Sequence, residues 1–166
     1  MSKPRTRKQT LLLVGEGHDE EAFLKYLKSQ LVARESGLHV KIKNAKGKGA
    51  KHVIEWTVRQ AKLAEYDVVA ALLDTDTDWT PTTEKQAKSQ KIIVLKSDPC
   101  FEAMLLRLYG VTPEQDGKKL KKQFEPYVNV AATVPDNYAK YFNPDALKSK
   151  RHLEKTIDDL LKLFNI

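Results

Sequence analysis

Six uncharged residues, Val68-Val69-Ala70-Ala71-Leu72-Leu73, run directly into three aspartates at alternate positions, Asp74, Asp76 and Asp78. No other stretch restricts the fold of this chain as strongly. A short valine- and leucine-rich run with no polar alternate suits a strand covered on both faces, and such strands belong to parallel sheets between helices. Asp74 and Asp76 point the same way if the extended backbone continues past the strand end. Carboxylates held that close repel one another, and a cation relieves the repulsion. Hard oxygen ligands at the mouth of a buried strand suit Mg2+ or Mn2+. The competing reading is a solvated turn in which Asp78 caps the next element.

A second acidic strand end favours the metal reading. Leu11-Leu12-Leu13-Val14 is another buried strand, and it ends in Gly15-Glu16-Gly17. The glycines allow a tight turn and close approach of a ligand, while Glu16 stands at the carboxyl edge, where open α/β sheets collect their ligands. A helix is predicted from Asp19 to about Ala33, with Phe23, Tyr26, Leu27 and Leu31 on one face. Asp19, Glu20 and Glu21 fall in its first turn, where the helix dipole alone explains them.

The chain then alternates. Residues 38–43 alternate apolar and basic, as an outer strand does. The loop 44–51 carries Lys46, Lys48 and Lys51 around two glycines but lacks the spacing of a phosphate-binding P-loop. Val53, Thr57, Val58, Ala61 and Ala64 mark a second helix. Residues 91–95 form the fourth strand, followed by Ser97-Asp98-Pro99, with Pro99 at the first helical position and Ser97 or Asp98 as its cap. That helix carries Glu102 in its first turn and stops near Gly110. Beyond it only helices are predicted: a lysine-bearing piece over 112–127, a short one over 135–142, and a final helix from Asn143-Pro144 with Leu147, Leu153, Ile157, Leu160, Leu161 and Phe164 buried. The expected organisation is a basic tail over 1–9, an α/β domain over 10–110 and a helical C-terminal extension over 111–166 packed on it.

At 166 residues the chain suffices for one domain with a substantial core. Its net charge of +7 favours a polyanionic partner such as nucleic acid. A single cysteine, Cys100, excludes an internal disulfide and fits a reducing compartment. The apolar run after the basic N-terminus is too short for a signal peptide or a membrane span, so a cytoplasmic protein without membrane contact is expected.

Three blocks together resemble the Toprim domain shared by topoisomerases, primases and OLD-type nucleases, and within it the small RloB-like (AbiLii-like) family of bacterial and archaeal defence loci. Leu12 to Glu20 is similar to the first motif, a hydrophobic strand ending in Glu-Gly with an acidic residue shortly after. Leu73-Asp74-Thr75-Asp76 resembles the Asp-x-Asp motif. Ser97-Asp98-Pro99-Cys100-Phe101-Glu102 is similar to a third signature, Ser-Asn-Pro-Cys-Phe-Glu, with Asp98 in place of asparagine and Met104 where tryptophan is common. The resemblance spans residues 11–109.

It implies a Rossmann-like Toprim fold with a mainly parallel four-stranded sheet, and a Mg2+- or Mn2+-dependent nuclease that cleaves DNA or RNA phosphodiesters. Asp74 and Asp76 then bind metal, and Glu16 completes the shell or moves a proton; Glu20 and Glu102 are the added ligands if two metals act. Lys96, Lys150 and Lys48 are candidate phosphate contacts. An ATPase partner is implied by the related defence systems. His18 and His152 read as surface residues, and Cys100 as packing. Two other readings stay open: a non-catalytic nucleic-acid-binding or assembly subunit, and a haloacid-dehalogenase-like phosphatase suggested by Asp74-Thr75-Asp76-Thr77.

Overall fold

In the first strand Leu11 and Leu13 project to one side and Leu12 and Val14 to the other, and all four are fully buried. A strand apolar on both faces must be covered on both faces. The computed structural model, which describes residues 8–166, meets that demand with a parallel sheet between two helical layers. Along the chain β1 (Gln9–Gly15), α1 (His18–Leu31), β2 (Leu38–Asn44), α2 (Gly49–Ala61), β3 (Val68–Asp74), α3 (Pro81–Ser89), β4 (Ile92–Ser97) and α4 (Phe101–Arg107) alternate. Of the basic tail expected over 1–9, residues 1–7 lie outside the described residues, and Gln9 already belongs to β1.

The four strands are all parallel, in the order β2-β1-β3-β4. β2, with its wet alternate residues, lies at one edge as its pattern predicts. The chain passes from β1 to β2 on one side and then to β3 on the other. That reversal leaves a crevice at the carboxyl ends of β1 and β3, where ligand sites of open α/β sheets are found. Glu16 and Asp74 are the residues at those two ends.

The two faces are filled differently. One core unites Leu11, Leu13, Ala70 and Leu72 with α1, α4 and the C-terminal helices; the other unites Leu12, Val14, Ala71 and Leu73 with α2 and α3. The C-terminal segment forms α5 (Gly117–Phe124), α6 (Pro144–Lys150) and α7 (Lys155–Leu163), with three short 3-10 turns between them. Phe124, Tyr138 and Phe142 from this segment meet Phe23 and Phe101 in one aromatic cluster. No helix of the described residues is long and apolar enough to cross a membrane.

Three expected helices are shorter than their sequence patterns, and the one over 135–142 is only a 3-10 turn at Pro135–Tyr138. The piece predicted over 112–127 becomes regular only at Gly117, where the Asp116 carboxylate accepts the Lys119 N–H at 3.1 Å. The final helix breaks at Arg151–Leu153, and Leu153, expected inside, is half exposed. Long-range pairing explains the break. Arg151 donates to the Asp158 carboxylate and the Ile166 carbonyl, while Glu154 turns away to pair with Arg107 of α4. The nominal cap of α4 also differs. Its first turn starts at Phe101, after a cis Asp98–Pro99 bond, and the carboxylate that receives the Phe101 N–H comes from Asp74.

Candidate metal centre

Three elements bring one carboxylate each to the crevice. β1 delivers Glu16, the first turn of α1 delivers Glu20, and the last residue of β3 delivers Asp74. One oxygen-ligand atom from each lies within 4.8 Å of those of the other two. Glu16 and Glu20 are buried and Asp74 is half-buried.

The backbone fixes each carboxylate by one hydrogen bond. Glu16 Oε2 accepts the Asp74 N–H at 3.2 Å. Glu20 Oε2 accepts the Gly17 N–H at 3.1 Å, and Asp74 Oδ1 accepts the Phe101 N–H at 3.0 Å. One oxygen of each group therefore remains for a further ligand, and the side chains do not have to be ordered when it arrives. The glycines of the first motif serve α1 itself. A Cβ on Gly15 would stand 3.0 Å from Glu20 Cβ and 3.1 Å from Glu21 N, so a side chain there would push Glu20 away from the crevice.

Burial and the proximity of like charges dominate the electrostatics of the triad. Burial raises the Glu20 pKa to about 8, helped by the charges of Glu16, Glu102 and Asp19. Burial, with Glu20 and Glu16 beside it, pushes Asp74 up to about 9. Glu16 is raised as well, chiefly by burial. Among the described residues no lysine or arginine forms an ion pair with any of the three. An all-carboxylate set with one oxygen per residue to spare fits a hard divalent cation. The chain thus contains an acidic triad that can bind a divalent metal.

The other sequence-predicted residues lie around this floor. Asp76 does not continue the extended line of β3. The strand ends at Asp74, and the Thr75 and Asp76 N–H groups both turn to the Pro99 carbonyl at 3.1 Å. That turn leaves Asp76 exposed and outside the triad, although it lines the same cleft with Asp74 and Glu102. Asp78 does cap a helix, but not the one that follows it. Its Oδ1 accepts the Ala50 N–H of α2 at 2.6 Å, whereas Thr80 caps α3. Gly49 is required there, with φ +86 and a Cβ position 2.7 Å from Asp78 Oδ1.

Asp74 is the member of the triad that lines a cleft of about 730 Å3, whose other walls come from Asp76, the Pro99–Cys100 turn, α4, α5 and the loop between them. Lys48, Lys96 and Lys150 do not line it. Lys96 pairs with Glu84 at 3.5 Å and lies over Trp79; Lys150 lies 4.5 Å from the Tyr109 ring centre; Lys48 is exposed at the start of α2. Arg107 and Lys121 do line the cleft. Lys121 belongs to the lysine-rich face predicted for the C-terminal extension, but no sequence signal separates it from Lys118, Lys119 and Lys122. Cys100 is buried and its thiol is pushed up to about 12, mainly by burial, which fits packing rather than nucleophilic chemistry. His18 contacts Asn44 through its ring. No protein-family model, curated protein or solved structure matches this chain.

Proposed function

We propose that this protein is a divalent-metal-dependent phosphodiesterase of the Toprim kind, acting on nucleic acid. The observation that carries this reading is the convergence of Glu16, Glu20 and Asp74 within 4.8 Å at the crevice between the two central strands. The three motif blocks that suggested the family supply its residues: the first gives Glu16 and Glu20, the second gives Asp74, and the third gives the Phe101 N–H that orients Asp74.

Glu16, Glu20 and Asp74 hold the metal in this reading, and Asp76 and Glu102 border the space a substrate occupies. Magnesium or manganese, when bound, stabilises charge on a scissile phosphate and lowers the pKa of a coordinated water. The residues themselves supply orientation and proton handling. Glu16 is held by the Asp74 N–H, and burial raises its pKa, the direction that favours a carboxyl handling a proton. The net charge of +7 supports a polyanionic substrate.

The test is cleavage of plasmid DNA, single-stranded DNA and RNA by purified protein in magnesium and in manganese, beside Asp74→Asn and Glu16→Gln. Metal-dependent cutting lost in both variants supports the assignment. Cutting that persists equally in both removes it. A phosphoaspartate trapped at Asp74 by a phosphate mimic points instead to the phosphatase reading.

A further inference from the structure

Arg107 and Lys121 line the same cleft as Asp74, Asp76 and Glu102, and neither is ion-paired with one of those three carboxylates. α4 presents Glu102, Ala103 and Arg107 to the cavity, so one helix face changes from negative near the sheet to positive at the far end. α5 presents Gly117, Leu120 and Lys121, the three- and four-residue spacing of a single helix face. The wall is therefore a place where an anion meets cations next to a site for a metal.

The two cations differ in how they are held. Arg107 is gripped by Glu154 through Nε and Nη2. A guanidinium has five N–H donors in a fixed fork, so this grip orients the group and leaves donors over. Lys121 is exposed and forms no ion pair among the described residues. It lines a second, smaller cavity of about 270 Å3 as well, together with Asp19 and Glu102, and its charge counters the burial-raised Asp19 carboxyl. An ammonium placed between two cavities, beyond ion-pair distance of every carboxylate among the described residues, remains available to an incoming anion.

We infer that Arg107 and Lys121 form a phosphate-binding subsite for a nucleic-acid strand, taking the phosphate next to the one presented at Asp74, the triad residue that borders the same cleft. The inference rests on the phosphodiesterase reading for its substrate class. Arg107 supplies directional donors and Lys121 a mobile point charge, the division these side chains make at phosphates elsewhere. A cavity of about 730 Å3 is of small-ligand size. What enters is a phosphate with its flanking sugars, and the strand leaves over α5, where Lys118 and Lys122 continue the positive face.

Fluorescence anisotropy with a labelled single-stranded oligonucleotide of about 15 nucleotides tests this. Measurements run in manganese and in EDTA, over a series of salt concentrations. Loss of one phosphate contact lowers the slope of log K against log salt by about 0.7 and weakens binding about fivefold near 0.1 M salt. That is the expectation for Lys121→Ala, with Lys121→Arg restoring it and Lys121→Glu weakening binding further. Arg107→Lys, which keeps a cation for Glu154 but removes the fork, is expected to weaken binding as well. Lys88→Ala, on the exposed face of α3 outside the cleft, serves as control and is expected to bind as wild type. Equal weakening in Lys121→Ala and Lys88→Ala, an unchanged salt slope, or no binding by wild type overturns the inference. Cleavage is scored separately. Cleft-specific binding without cleavage keeps the subsite and removes the nuclease; cleavage with an unchanged KM in Lys121→Glu does the reverse.

Discussion

Two groups of aspartate and glutamate crowd the carboxyl edge of the sheet, and they behave in opposite ways. The floor, Glu16, Glu20 and Asp74, is withdrawn from water, anchored by backbone N–H groups and raised in pKa. The rim, Asp76, Asp78 and Asp98, is exposed, and two of its members have structural work. Asp78 caps α2, and Asp98 accepts the Thr75 hydroxyl at 2.7 Å. Asp74 and Asp76 stand two residues apart, yet one turn of the backbone at Thr75 assigns them to different groups. Acidity at a strand end is therefore not sufficient for such a cluster; what distinguishes the floor is the withdrawal of its carboxyl groups from water.

Substitutions can break that contrast. A direct ligand is worth more than the roughly 10–100-fold of an outer-shell partner. Asp74→Asn should therefore lower manganese affinity by at least about 100-fold, and Asp76→Asn by no more than about tenfold, measured by calorimetric titration. Equal losses would merge floor and rim.

The next effect is on stability and has the opposite sign in the two groups. Without metal, Glu20→Gln removes a buried carboxyl and should stabilise the protein at pH 8 by about 1–3 kcal/mol. Asp78→Ala uncaps α2 and should destabilise it by about 1 kcal/mol. Thermal melting in EDTA reads both.

A pH series sharpens the comparison further. Glu20 and Asp74 keep their protons in the folded state up to about 8 and about 9. The unfolded chain loses them in the ordinary carboxylate range, about 4. Between those limits the folded state binds more protons, so the stability of the metal-free protein falls as pH rises through that window. The fall should be smaller in Glu20→Gln and unchanged in Asp78→Asn. Smallest of all, Lys96→Ala should alter stability by less than about 0.5 kcal/mol, because its pairing with Glu84 is solvent-exposed.

Much of this was legible in the sequence, and the rest was not for identifiable reasons. Uninterrupted apolar runs gave away β1 and β3, and with them the parallel sheet and the positions of Glu16 and Asp74. Glu20 was nameable as a ligand only through the motif, since its place in the first turn of α1 has an ordinary dipole explanation. The departure of Asp76 from the line of β3 depends on the Pro99 carbonyl, which belongs to a different strand end. The capping of Phe101 by Asp74, of Ala50 by Asp78, and the pairing of Glu154 with Arg107 at the helix break are likewise contacts between distant segments. Local pattern places a residue on an element; it does not say which other element its side chain will serve.

The central claim is that Glu16, Glu20 and Asp74 act as one cation-binding unit. Titration of manganese into metal-stripped protein, followed by the paramagnetic resonance signal of the free ion, tests it most directly. Wild type should remove free manganese from solution, and Glu16→Gln, Glu20→Gln and Asp74→Asn should each lose that capacity while remaining folded. A free-ion signal that tracks added manganese in the wild type, or three variants that bind as wild type does, would contradict the account.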